Sequence, residues 1–153
     1  MKLKLIQWLS RRSYAQLHAL SSLLAFLAHR VFKYRLKVIR GNLERSFPQQ
    51  NADWHRKVEK QYYGHFADIT VESIKHFTID NATAMGRMKH VNVEVFTPFF
   101  ESGRSVLIAG GHLNNWELYA VTANQNVPHD VMAVYKKLSD PTMERAVLES
   151  RQR

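Results

Sequence analysis

The chain has 153 residues, enough for one domain with a core of its own, and a formal net charge of +9 at pH 7. It contains no cysteine, which excludes a disulfide framework and thiolate chemistry; 45% hydrophobic and 23% charged residues are the proportions of a globular protein. The charge is unevenly placed, with 13 Lys/Arg against 3 Asp/Glu in residues 1–60 and 9 against 10 in residues 61–153, so the first part calls for an anionic partner, either nucleic acid or an anionic membrane leaflet.

In chain order, Lys2 and Lys4 flank Leu3, Leu5, Ile6, Trp8 and Leu9, a short amphipathic segment with an aromatic anchor. Tyr14 to Ala28 carries no charge and is dominated by leucine. Fifteen helical residues reach about 22 Å, short of a hydrocarbon core of about 30 Å, so the segment reads as a tilted or monotopic insertion as readily as a clean span. A buried helix is the plainer alternative. A secretory signal is disfavoured, because Arg11 and Arg12 break the first apolar run and no small-x-small cleavage site follows the second. Arg30, Lys33, Arg35, Lys37, Arg40 and Arg45 come next. A basic cluster beside an apolar helix reads as contact with anionic headgroups. A solvated helix face is the bland reading, and nucleic-acid binding is weaker, since none of its usual motifs is present. We therefore expect residues 1–45 to form a membrane-anchoring segment and residues 46–153 the first part of a second domain.

Ser46-Phe47-Pro48-Gln49-Gln50-Asn51 breaks the chain by composition. Trp54, Val58, Tyr62, Phe66, Ile69, Ser73 and Phe77 then recur every three to four residues, which predicts an amphipathic helix from about Asp53 to Phe77 with an aromatic core stripe. His55, His65 and His76 on it do not share one metal-binding face, and no zinc site is expected. Asn81 to Lys89 reads as a loop or short helix. The alternation of Val91, Val93 and Val95 predicts a half-buried strand. Pro98 opens a short helix that Gly103 ends. Ser105 to Ala109 predicts a buried strand, and Gly110-Gly111 a sharp turn. Asn114 or Asn115 caps a helix reaching about Asn124, Val131 to Tyr135 predicts another strand, and Pro141 opens a last helix to about Gln152. The β-α-β-α alternation argues for an α/β fold with a partly parallel sheet.

His112 follows the two glycines, and Glu117 stands five residues later. On one helix these would lie about 140° apart and could not face each other. Across a strand-turn-helix junction they can, with the carboxylate orienting the imidazole as a general base. A lone His near a lone Glu is more often structural, but such junctions are where α/β sheets build their sites.

Gly110-Gly111-His112-Leu113-Asn114-Asn115-Trp116-Glu117 resembles the His-x4-Glu/Asp signature of the bacterial lipid A late acyltransferases, the lauroyl and myristoyl transferase type, whose site reads Gly-x-His-x-x-Asn-Trp-Glu. Arg35 to Leu43 with Ser46-Phe47-Pro48, and Val134-Tyr135-Lys136 with Asp140-Pro141 and Arg151-Gln152-Arg153, are similar to the family's flanking segments. The resemblance implies a membrane-associated N-terminal helix followed by a glycerolipid-acyltransferase-like α/β domain. Family members continue past this point, so it also implies that the C-terminal part is missing and that the chain is an N-terminal fragment. It implies O-acyl transfer from an acyl carrier protein or coenzyme A thioester to a hydroxyl of a lipid A precursor. His112 is then the base and Glu117 its orienter. Gly111 and Asn115, with Arg151 and Arg153, make up the substrate-binding set, the arginines meeting an oxyanion or phosphates. No cofactor, metal or nucleic acid is implied. The location implied is the cytoplasmic face of the bacterial inner membrane, with one N-terminal helix. The rivals are an acyltransferase acting on another glycolipid or an aminolipid, and a non-catalytic membrane-binding fragment.

Overall fold

The computed structural model describes residues 2–151. Its helices are α1 (Lys2–Ser10), α2 (Tyr14–Phe26), α3 (Leu36–Ser46), α4 (Ala52–Lys75), α5 (Asn81–Arg87), α6 (Thr97–Glu101), α7 (Trp116–Thr122) and α8 (Pro141–Arg151). A π turn covers Leu27–Val31, and 3-10 turns cover Val93–Phe96 and Ala123–Gln125. Contacts divide the chain into two compact units, residues 12–72 and residues 1–11 with 73–153.

In the first unit, Ser13 and Gln16 open α2 with a reciprocal capping box: Gln16 N–H donates to Ser13 Oγ at 3.2 Å, and Ser13 N–H donates to Gln16 Oε1 at 3.1 Å. Only Leu17 and Ser21 of α2 are buried, while Leu23 and Phe26 are exposed. Among the described residues no helix is long and apolar enough to cross a membrane. The left-handed backbone of Lys33 and Arg35 (φ 48° and 52°) ends the π turn and starts α3.

Helix α4 buries Glu59, Tyr63, Ala67 and Val71, spaced four apart. The expected stripe lies one residue away, and its Tyr62 and Phe66 are exposed and stacked on each other, with centroids 6.0 Å apart. The reason is a charge. Glu59 can face inward because Arg40 Nε donates to its Oε2 at 2.6 Å, and His29 Nε2 lies 2.8 Å from its Oε1. Tyr63 stacks on His29 at 4.5 Å and donates its hydroxyl to the Tyr34 carbonyl at 2.7 Å. With its polar partners supplied, the stripe that contains Glu59 is the one that turns inward.

In the second unit, Lys75 Nζ and Thr78 Oγ1 donate to the Ser10 carbonyl, at 3.0 and 2.6 Å, and so satisfy the end of α1. Helix α5 packs on α7, and α7 on α8. Ile79, Ala84, Leu118, Val121 and Ala123 form the core.

The α/β expectation is overturned. The structure is all-helical, with 66% helix and no strand or sheet among the described residues. A strand needs a partner to complete its ladder of N–H and C=O groups, and β propensity expresses fit to a pleated, half-buried surface. None of the three expected strands has a partner. Val93–Phe96 instead winds into a 3-10 turn entered through the left-handed Asn92 (φ 58°). Residues 105–109 and 131–135 are irregular. Their apolar side chains stay in water: Leu107 is 94% exposed, Met132 88% and Val134 96%.

Candidate active site

The segment before α7 is folded by short hydrogen bonds. Leu113 N–H reaches the Gly111 carbonyl at 2.9 Å, and Trp116 N–H the Asn114 carbonyl at 3.2 Å. The left-handed residue is Asn114 (φ 52°), not either glycine. A side-chain amide makes that conformation tolerable to a residue with a Cβ. A Cβ on Gly111 would meet only Leu113 Cγ at 3.7 Å, an ordinary contact, so the expected close approach to that glycine's backbone is not built by the chain itself. Asn115 is the N-cap of α7, where its Oδ1 accepts from Leu118 N–H at 3.1 Å, and it is buried in that role.

From this turn His112 lays its ring on the Trp116 indole, with centroids 4.8 Å apart and planes 11° apart. Glu117, in the first turn of α7, faces Arg151 near the end of α8. Arg151 Nη2 donates to both carboxylate oxygens, at 2.9 and 2.7 Å. Among the described residues Glu117 makes no hydrogen bond to His112. The pair that the spacing suggested is therefore near in space but not joined. Arg151 Nε is buried and has no hydrogen-bond partner among the described residues.

His112, Glu117 and Arg151 line one cavity of about 710 Å³, with Lys136 also on its wall. Phe77, Val121, Leu138, Met143 and Val147 supply the apolar lining. A volume of this order holds a sizeable small-molecule group, and a few polar residues on an otherwise apolar wall are the usual pattern of a ligand site. Gly111 and Asn115 belong to the turn that leads to the cavity. Arg153 lies outside the described residues. Among those residues no group of three or more His, Asp or Glu is placed to hold a metal ion.

Two residues not singled out from the sequence complete the arrangement. Glu144, buried in the first turn of α8, accepts a short hydrogen bond from the Tyr135 hydroxyl and another from Leu138 N–H at 2.8 Å. These bonds hold the Glu144 carboxyl below its usual range and push the Tyr135 hydroxyl up. Arg151 lies over the Tyr135 ring, 5.5 Å from its centroid. Asp140-Pro141 followed by Glu144 was the signal available, because an acidic residue in the first turn after a capping aspartate often reaches back. Asp140 does cap α8, accepting from Thr142 N–H at 2.9 Å.

Residues 3–153 match the family of bacterial lipid A biosynthesis acyltransferases. The chain belongs to that family. Its members transfer acyl groups in lipid A biosynthesis, and an acyl donor and a lipid acceptor follow from that in general. No curated protein and no solved structure gives a match. The cavity combines titratable groups with an apolar wall.

Proposed function

We propose that the chain carries out O-acyl transfer from the thioester of acyl carrier protein or coenzyme A to a hydroxyl of a lipid A precursor. The observation that supports this most is the shared cavity of His112, Glu117 and Arg151 with its apolar lining. His112 takes the hydroxyl proton as the oxygen attacks the thioester carbonyl. The tetrahedral oxyanion collapses, expels the thiolate, and the imidazolium returns the proton to it. Arg151, on the wall of the cavity, meets the oxyanion or an acceptor phosphate; backbone N–H groups near Gly111 add to that binding. Glu117 orients His112 and stabilises its charge once substrate draws the ring toward it, since catalytic hydrogen bonds often tighten only when the site is filled.

The acceptor is an anionic lipid, and we place the protein on the cytoplasmic face of the inner membrane. In support, Arg30, Lys33, Arg35 and Lys37 are exposed beside exposed Phe26, Val31, Phe32 and Tyr34. A nearly apolar cavity of about 370 Å³, with Leu24, Leu27, Phe32 and Phe66 on its wall, lies in the same unit. That combination favours an interfacial seat over a span.

The test is acyl transfer in membranes carrying the chain, with labelled acyl carrier protein thioester and a lipid A precursor. His112→Ala should lower the rate by about 10²- to 10⁴-fold, and Glu117→Gln by a smaller but clear factor. Transfer unchanged in His112→Ala rules out the base.

A further inference from the structure

We propose that Tyr135 and Glu144 are positioning residues for transfer: they seat Arg151, and through it Glu117, at the polar end of the cavity. The inference rests on the reading of Glu117 as a working carboxylate.

The contacts form one line through three segments. Glu144 binds the Tyr135 hydroxyl with one oxygen and Leu138 N–H with the other, so it ties residues 135–138 to the first turn of α8. Arg151 stands seven residues further along α8, about two turns on, and so on nearly the same face. Its guanidinium lies over the ring that Glu144 has fixed, within the roughly 6 Å at which a cation and an aromatic face attract. On the α7 side, the same guanidinium bonds both oxygens of Glu117.

Position is the difficulty this line resolves. Residues 131–138 have no ladder to hold them, and Met132 and Val134 stand in water. A tyrosine on such a segment would wander unless it were tethered. Glu144 is the tether, buried against two donors. The ring then restricts Arg151 on one side while Glu117 restricts it on another. Arginine has a long, mobile side chain, and a site that depends on its planar fork gains from a surface that fixes the plane.

The experiment uses the full chain in membranes with lauroyl–acyl carrier protein and a lipid A precursor. Tyr135→Leu, Tyr135→Phe and Glu144→Gln are each made alone and in a Glu117→Gln background. Tyr135→Leu should lower kcat by about 3- to 30-fold, the range of a lost cation–ring contact, with KM for the donor within about twofold. Tyr135→Phe keeps the ring but loses the hydrogen bond to Glu144, so it should recover only part of that loss. Glu144→Gln keeps the ring and an acceptor oxygen, and should lose no more than Tyr135→Phe. In the Glu117→Gln background the three changes should add almost nothing, because residues acting through one another are not additive. An equal loss in both backgrounds overturns the proposal, as does a loss confined to KM or an unchanged kcat in Tyr135→Leu. If Glu117→Gln itself leaves transfer intact, the underlying reading of Glu117 falls and this inference falls with it. Full loss in Glu117→Gln with no effect at Tyr135 sinks the inference alone. A readout free of activity is the rotation of the Arg151 guanidinium by 15N NMR in detergent micelles: slow in the parent chain and faster in Tyr135→Leu and Glu144→Gln. Equal rotation in all three overturns the seat.

Discussion

Glu59 has both oxygens engaged on the buried face of α4, both by Arg40 and one of them also by His29. Removing such a carboxylate strands its partners, and the cost depends on whether water can reach them. The Arg40 side chain is 54% exposed and can rehydrate; the His29 side chain is 13% exposed and cannot do so easily. Glu59→Ala should therefore cost about 2 kcal/mol, less than a fully buried pair would, as read by urea unfolding. The hydrogen bond from Arg40 holds this carboxyl below its usual range. Its contribution is thus complete above the unfolded pKa of about 4.3 and is lost as pH falls through the folded value. Unfolding of Glu59→Ala should show a shallower acid slope below about pH 4 than the parent chain. Single residues also mark what was readable. His112, Glu117 and Arg151 stand in the sequence as candidates, and the structure gathers them at one cavity. That Glu117 bonds Arg151 was not legible, because the contact joins residues 34 apart and no periodicity spans that distance. Glu144 reads as one more surface charge until Tyr135 is seen against it.

Helix α7 has seven residues, too few to persist on propensity alone, and it carries Glu117. Its first turn depends on the Asn115 side chain. Asn115→Ala should cost about 1 kcal/mol in urea unfolding and lower transfer with it, while Asn115→Asp, which keeps the cap, should do neither to that extent. Helices were the legible elements. The Asp53–Phe77 periodicity, the Pro141 start and the cap before Trp116 all correspond to helices, because each signal is local and settled within a few residues. The strands were not. Val91-Asn92-Val93-Glu94-Val95 alternates as a strand should, yet Asn92 takes the left-handed conformation and the next turn winds up. Alternation shows which face would be buried if a neighbour existed, and says nothing of whether one does. The stripe on α4 fails for a related reason: hydrophobicity alone cannot show that a glutamate has partners on α3 and the π turn.

At the scale of the chain, the first acidic residue is Glu44, after nine lysines and arginines across residues 1–43. Each cation near an anionic leaflet is worth about 1 kcal/mol, and salt at 0.15 M confines the effect to about 8 Å. Sedimentation with vesicles should therefore show binding to phosphatidylglycerol-rich vesicles, weakened by Arg30→Ala with Lys33→Ala and by added salt. Phe32→Ser should weaken it with less salt dependence, since that contact is apolar. Equal binding to neutral and anionic vesicles would remove charge from the account. The uneven charge was the most legible global property; the family resemblance carried the function, and composition alone left nucleic acid open.

Met132 is 88% exposed, on the same irregular run that carries Tyr135. Thioethers in water are oxidised sooner than thioethers in a packed wall, such as that of Met143 in the cavity lining. Dilute peroxide should place a first oxygen atom on Met132 ahead of Met143, resolved by peptide mass spectrometry. A sulfoxide three residues before Tyr135 adds a polar, chiral group to the segment that Glu144 tethers, within reach of the cavity that His112 and Glu117 line.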